Sequence, residues 1–595
     1  MHSFHIPVMG IGFTIDTPLK VSQYGIDSSI SLVDDILIER LRKMYCEKNE
    51  LEYTEISKHE PDHRAKRITA YLNLLQDLSN KQFALKYGNG KNSIESAKAY
   101  FEMQPDSDPA KKEFQKLIQS NTSDSMLNAW LKDNLKPGSI DVNIMTKVDK
   151  DNYIGQEKQA IEYNDAHAAV RGYANSNLES SLILSAGMNP RLYSYIEKFD
   201  DFYPDANGTI KKKIILKVSD FRSAKIQANF LAKKGIWVSE FRIESGLNCG
   251  GHAFATEGHL LGPILAQFRD ERKQMLESII PVMSNSLESK NRVVPQIWPV
   301  TKLTAQGGVG TAEEHSFMLE HYQLDSVGWG SPFLLVPEAT TVDSKTREKL
   351  ENANEDDIYL SAISPLGVPF QNLRSNSKDL EKMNKIQQGR PGSKCPKRFV
   401  ALNKEFSEKG MCTASREYQR LKTKELHDQN LPKDEYERKF NQIVNKSCTC
   451  VGLGTSALLA YGLDTKVEGD GVAVCPGPNL AYFDKTMKLG EITDHIYGRI
   501  NVIRRADRPN MYIKELRMYI DVFQDKIRGV KSSADEKLKK QVLAFSKNLN
   551  NGVKYYMDLF SKTNDRFVES RANVLAELAR IEYHLFGLQA QLVQD

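Results

Sequence analysis

Two glycine turns and one histidine carry the most pointed chemistry in this chain. Thr304-Ala305-Gln306-Gly307-Gly308-Val309-Gly310-Thr311 opens a helix, and Gly328-Trp329-Gly330-Ser331-Pro332-Phe333 follows it. Adjacent glycines leave backbone N–H groups uncovered, and a helix N-terminus adds the positive end of its dipole, so Gly307 and Gly308 suit a phosphate. Gly330 and Ser331 offer a further N–H and a hydroxyl to the same anion. Either turn alone is more often just a tight turn; the pair together is the signal. Upstream lies Glu244-Ser245-Gly246-Leu247-Asn248-Cys249-Gly250-Gly251-His252. Flexible glycines just before a histidine let the ring reach over a ligand, and imidazole exchanges protons near neutral pH. His252 is therefore the candidate general acid or base, against the plain alternative of a satisfied structural histidine.

Cysteine is the second chemical signal. Cys395 precedes a proline, Cys412 follows, then Cys448-Thr449-Cys450, and Cys475 again precedes a proline. Cys-Pro suits a thiolate that binds a cluster where the chain must turn away, and the glycines of Val451-Gly452-Leu453-Gly454 could donate N–H bonds to cluster sulfurs. No Cys-x2-Cys pair is present, and the spacing matches no zinc or iron–sulfur signature. Three readings stay open for these five residues: an iron–sulfur cluster, a zinc site, or unrelated buried thiols.

The elements that position these residues alternate. Short β-rich runs start near residues 5, 28, 140, 181, 213, 237, 300 and 326, several of them ending in glycine or a polar residue, and helical stretches separate them. Strands alternating with helices pair in parallel through right-handed crossovers. Eight such units fit a closed (β/α)8 barrel, although a doubly wound sheet allows the same count. In such a barrel the site sits at the C-terminal strand ends, and the loops after the seventh and eighth strands are the usual phosphate site. The two glycine turns fall on those two loops.

The chain divides into a barrel over 1–35 and 136–390, a helical insertion over 36–135 read as a lid or cap, a Cys/Gly-rich extension over 391–505, and a helical bundle over 506–595. Stripes at helical spacing support the insertion (Ile68, Leu72, Leu75, Leu78) and the bundle (Leu516, Ile520, Phe523, Ile527). Residues 340–390 read as polar and irregular. The 595 residues are 40% apolar and 27% charged, which excludes wholesale disorder and a fibrous protein. Lys+Arg 81 against Asp+Glu 77 is too even to predict nucleic-acid binding. No membrane span and no signal peptide are read, so a cytoplasmic location is expected. Seven cysteines are too few for a disulfide scaffold in a chain this long.

With these motifs in view, the sequence resembles the nitronate monooxygenase family, also called the 2-nitropropane dioxygenase-like group, which includes the flavin-dependent enoyl-acyl carrier protein reductase. Gly250-Gly251-His252 matches the family's Gly-Gly-His after the sixth strand. Gln306-Gly307-Gly308-Val309 approximates its Ala-Gly-Gly-Ile, and Gly330-Ser331-Pro332-Phe333-Leu334 with Pro337-Glu338 resembles its Gly-Thr-Arg-Phe-Leu…Pro-Glu run. Val8-Met9-Gly10-Ile11-Gly12 and Val142-Asn143-Ile144 are similar to its first and third strand ends. The resemblance spans roughly 1–35 and 139–345. It implies an FMN-binding (β/α)8 barrel and an oxidoreductase. The FMN phosphate would lie on Gly307, Gly308, Gly330 and Ser331. Met9, Gly10 and Asn143 would line the isoalloxazine beside Gly251, Lys217 would place a cation near it, and His252 would move the proton. It further implies a small organic, nitronate-like or acyl substrate, with NAD(P)H as donor if the chain is a reductase. The C-terminal helices offer a homo-oligomer contact. A reading of a different class makes the barrel a non-catalytic binding or assembly module.

Overall fold

Eight parallel strands close on themselves in this computed structural model, which describes residues 1–88, 93–120, 122–185, 187–531, 535–563, 566–568 and 570–594. The strands are β1 (Phe4–Ile6), β2 (Asp27–Ser31), β3 (Ile140–Met145), β4 (Ser181–Ser185), β5 (Lys213–Val218), β6 (Val238–Glu244), β7 (Lys302–Gln306) and β8 (Ser326–Gly328). Each pairs with its neighbours in sequence, and β8 closes on β1 through Phe4↔Val327 and His5↔Gly328. The barrel, not the doubly wound sheet, is thus the fold. The expected β4 end residue Ala186 lies outside the described residues.

Strand alternation decides what faces inward. Along β6, Glu240, Arg242 and Glu244 share one face. Glu240 and Arg242 pair deep in the barrel at 2.7 Å, and Thr304 of β7 donates to Glu240 at 2.5 Å. Two residues further on, Glu244 reaches the mouth. The same step carries Asp141 to Asn143 on β3 and Thr304 to Gln306 on β7. Burial pushes the Asp141 carboxyl up to about 6, against the pull of Arg242.

The insertion divides in two. Helices Asp35–Lys48 and His63–Tyr87 pack Ile38, Leu41, Ile68, Leu72 and Leu75 into the main core and belong to the barrel's outer layer. Helices Ser93–Met103, Pro109–Gln119 and Asp124–Asn134 build a separate small core around Phe101 and Phe114. Tyr100 there donates to Lys136 O at 3.0 Å and Gln104 to Tyr24 O at 3.2 Å, just ahead of β3 and β2. These helices therefore sit at the N-terminal end of the barrel, opposite the mouth, and are not placed as a lid or cap over it.

Residues 340–390 are not irregular. They form helix Ser344–Glu351, the hairpin β9 (Ile358–Ser361) and β10 (Phe370–Leu373), and helix Ser377–Gln387. Three C-terminal helices, Met511–Lys531, Glu536–Lys562 and Arg571–Gln594, pack on the barrel side. Buried Glu515 ties them to the loop after β6, accepting from Ser245 Oγ (2.7 Å), Leu261 N–H (3.0 Å) and Tyr556 OH (3.1 Å). Burial pushes its carboxyl up to about 7. Among the described residues no single helix is long and apolar enough to cross a membrane.

Candidate active site

The C-terminal strand ends open on a large cavity. Asn143, Lys217, Glu244 and Gln306 line it from four strands. Lys217 Nζ lies 3.0 Å from Glu244 Oε2, and Gln306 Nε2 donates to Glu244 Oε1 at 2.8 Å. The lysine expected to place a cation near the cofactor is thus neutralised by its own neighbour. Among the described residues Asn143 Oδ1 and Gln306 Oε1 are buried acceptors with no protein donor. An unmet buried acceptor costs about 1–3 kcal/mol, so both call for a ligand N–H.

The two glycine turns are neighbours, because β7 and β8 pair through Val327↔Ala305 and Gly328↔Gln306. Among the described residues the N–H groups of Gly307, Gly308, Gly330 and Ser331 have no protein acceptor, and all four residues line the cavity. Four uncovered donors on two adjacent turns make an anion cradle. The reason for glycine differs between the turns. Gly307 (φ +123°) and Gly308 (φ +83°) hold left-handed backbone. A β-carbon on Gly307 would lie 2.7 Å from Ser245 Cβ and 2.8 Å from Cys249 Sγ, and one on Gly308 would overlap the Asn248 amide. These glycines let the loop after β6 pack tightly. Gly330 is open instead, the nearest atoms to its β-carbon position being Pro7 Cγ at 3.4 Å and Met9 Sδ at 3.8 Å.

Met9, Gly10 and Gly251 complete the wall. Gly251 (φ +80°) has nothing within 4 Å of its β-carbon position, so the chain presents bare backbone to the cavity just before His252. The His252 ring centroid lies 4.9 Å from that of Phe370, and Nε2 is 2.7 Å from Ser364 Oγ. Burial, and after it the nearby Lys217 charge, push the imidazole down to about 4. At neutral pH it is uncharged, so an imidazolium acid is not the resting form. All ten residues expected for cofactor and catalysis thus meet on one cavity.

A large share of the wall went unseen in the sequence. Ser364, Leu366 and Phe370 come from the β9–β10 hairpin. Thr449, Cys450 and Leu453 come from helix Thr449–Ala460, whose Leu453 O accepts from Gly12 N–H at 2.9 Å. Gly477 N–H donates to Ser331 Oγ at 2.7 Å, and Asn479 Nδ2 to Val309 O at 2.8 Å. The extension is therefore built into the mouth. The one visible signal was its glycine-rich runs beside the cysteines. A second cleft shares Lys217, Glu244, His252 and Phe254 with the cavity and continues it toward the surface past Lys147, Arg222 and Lys225.

Of the five cysteines read as ligands, Cys395 and Cys412 lie together in one small core and Cys448 and Cys450 in the main core, all four buried. Cys475 is elsewhere: its thiol meets backbone of Gly251 and Gly10 and its carbonyl accepts from Gly251 N–H at 3.1 Å. Among the described residues no group of three or more His, Cys, Asp or Glu side chains could hold a metal ion.

No family model and no curated protein matches this chain. Solved structures similar to this chain include three enzymes. FabK from Thermotoga maritima is 13% identical over 88% of this chain and 95% of its own, with a TM-score of 0.34. The enoyl reductase domain of MlnA, from the macrolactin biosynthesis cluster of Bacillus amyloliquefaciens, is 16% identical over 70% and 89%, with a TM-score of 0.33. Nitroalkane oxidase from Streptomyces ansochromogenes is 9% identical over 84% and 96%, with a TM-score of 0.34. At these scores the likenesses bear on no residue of the site, whose chemistry follows from its own geometry.

Proposed function

We propose that this chain is an FMN-dependent oxidoreductase acting on an organic or acyl substrate at the barrel mouth. The observation that carries this reading is the set of four unpaired N–H groups on the β7 and β8 turns, facing the same cavity as His252. Those N–H groups would hold the phosphate. The unmet acceptors of Asn143 and Gln306 would take N–H donors of the isoalloxazine. Bound flavin supplies hydride or single-electron chemistry. The chain's own part is position and proton management. His252, neutral and held by Ser364, accepts a proton from the substrate carbon or donates its remaining N–H to a substrate oxygen. The Lys217–Glu244 pair fixes the floor beneath it without net charge.

The second cleft favours the reductase form over a nitronate oxidase. It continues the cavity past His252, giving room for a chain longer than a nitronate. A reductase needs NAD(P)H as donor. The test is the absorption spectrum of the purified protein, then stopped-flow reduction by NADH and reoxidation by an enoyl thioester or by oxygen with a nitronate. The expected result is a yellow protein that releases FMN on denaturation and is reoxidised by the enoyl thioester. A colourless protein that takes up no FMN on reconstitution overturns the reading.

A further inference from the structure

We propose, resting on the flavin reading above, that Asn479, His495 and Arg508 are positioning residues that set the β7 turn to grip the phosphate of a flavin nucleotide. Three successive carbonyls of that turn are each held by a side chain from far along the chain. Arg508 Nη2 donates to Gly308 O at 3.0 Å, Asn479 Nδ2 to Val309 O at 2.8 Å, and His495 Nε2 to Gly310 O at 2.8 Å. The imidazole proton is on Nε2, because a carbonyl only accepts, and Nδ1 takes the Val502 N–H at 3.3 Å. In a planar trans peptide the C=O and the following N–H point opposite ways. Arg508 lies outside the cavity wall, so its hold on Gly308 O turns the Val309 N–H away from it, and Val309 lines the cavity. Among the described residues that N–H, like those of Gly307 and Gly308, has no protein acceptor. A turn whose carbonyls are filled while its N–H groups stand empty is set for an anion.

The support is fitted at close quarters. A β-carbon on Gly310 would lie 2.5 Å from Arg508 Nη2 and 2.7 Å from Asn479 Oδ1, so this third glycine admits the guanidinium against the turn. Arg508 Nε donates to Asn479 Oδ1 at 3.0 Å, which fixes the end of the amide that faces Val309. Its two terminal nitrogens hold the Glu314 carboxylate at 2.8 Å each. Glu314 in turn takes the Gly310 N–H at 2.9 Å and the Met511 N–H at 2.8 Å. Both partners are buried, and without the arginine that carboxylate would repel a phosphate on the same turn. The β8 turn is set from the same segment. Gly477 N–H donates to Ser331 Oγ at 2.7 Å, and among the described residues the hydroxyl proton of Ser331 has no protein acceptor. His495 packs edge-on to Trp329, which stands between Gly328 and Gly330, with ring centroids 5.8 Å apart. Residues 477–508 thus hold both turns, and donors ordered in advance bind more tightly because binding no longer has to order them.

The test compares FMN with riboflavin, which lacks the phosphate. The flavin-free full chain is titrated with each, followed by flavin fluorescence, and the parent is expected to prefer FMN. Arg508→Met should weaken FMN binding roughly tenfold or more, the loss of one charge-assisted bond to the phosphate, and leave riboflavin binding unchanged. Asn479→Ala, which leaves the Arg508–Glu314 pair in place, should weaken FMN about threefold or more and again spare riboflavin. Variants that weaken both flavins alike have lost structure in general, and that result overturns the positioning role. Variants that keep the parent's full preference for FMN overturn it too. A parent that binds riboflavin as tightly as FMN overturns the inference while the flavin reading stands; a parent that binds neither defeats both. If Arg508→Met fails to fold, Asn479→Ala decides.

Discussion

Alanine at Gly330 and at Gly308 should separate a glycine kept for a ligand from one kept for packing. Gly330 is not left-handed (φ −103°), and its β-carbon would stand 3.4 Å from Pro7 and 3.8 Å from Met9 in ordinary contact. Folding should therefore change by no more than about 1 kcal/mol. The methyl group, however, projects beside the unpaired N–H groups that form the cradle. Loss of even one charge-assisted bond to a phosphate, about 1.5–3 kcal/mol, should weaken FMN binding tenfold or more. At Gly308 the ranking reverses. A side chain at φ +83° costs about 1–2 kcal/mol. The new β-carbon also displaces the Asn248 amide from Met511 O, a 3.1 Å bond worth about 1 kcal/mol. Gly308→Ala should thus destabilise the flavin-free protein by about 2–3 kcal/mol. The assay is paired: denaturant unfolding of the flavin-free protein, and FMN titration followed by flavin fluorescence. If Gly330→Ala folds normally and binds FMN as tightly as the parent, the β8 turn does not hold the phosphate and the cradle argument fails.

Two further outcomes follow from charge. His252→Ala should retain FMN but lose turnover. In the parent, kcat/KM should hold steady down to about pH 5 and fall as pH drops through about 4, because burial lowers the imidazole from 6.5; a limb centred near 6.5 refutes the assignment. Stability has the matching sign. The unfolded chain takes up this proton first, so up to about 3 kcal/mol is lost as pH falls from 6.5 to 4, and His252→Ala should remove that part of the slope. Lys397→Met should destabilise by about 3 kcal/mol, since Lys397 Nζ is buried between Asp34 (2.6 Å) and Glu468 (3.2 Å) and its loss leaves Asp34 without its cation, while Glu468 keeps Arg40 at 3.3 Å. Limited proteolysis should then cut first within the extension; an unchanged cleavage pattern and unfolding midpoint would count against this.

The barrel was legible because its signal is local. Each strand is a short β-rich run, several of them ending in glycine or a polar residue, and all eight observed strands begin within about two residues of their expected starts. Residues 340–390 were misread for a local reason too: their helices are polar on most sides. Yet Asp343 and Asn376 cap them by accepting from Thr346 and Asp379 N–H, and Asx residues at that spacing from an N–H partner were there to be weighed. The insertion failed differently. Ile68, Leu72 and Leu75 mark a buried stripe correctly, but a stripe does not say which surface buries it. Helix His63–Tyr87 turned out to clothe the barrel, and the three helices after it found one another at the far end.

The site shows the same divide between what a residue type announces and what long-range contact adds. Gly307 and Gly308 were singled out for phosphate. Their N–H groups are indeed free, but the missing side chains serve the packing of Asn248 and Cys249. Lys217 was placed at the cavity, but its partner Glu244 was not foreseen, because the pairing depends on two inward positions on adjacent strands meeting at one height in the barrel. The extension is the extreme case. Gly12 bonds to Leu453, Ser331 to Gly477, and Asp34 to Lys397, each across more than a hundred residues of chain. Such contacts leave no period in a sequence. They follow only once the barrel has brought its loops to one end, and the surface those loops leave open is what the cysteine-bearing segments were shaped to close.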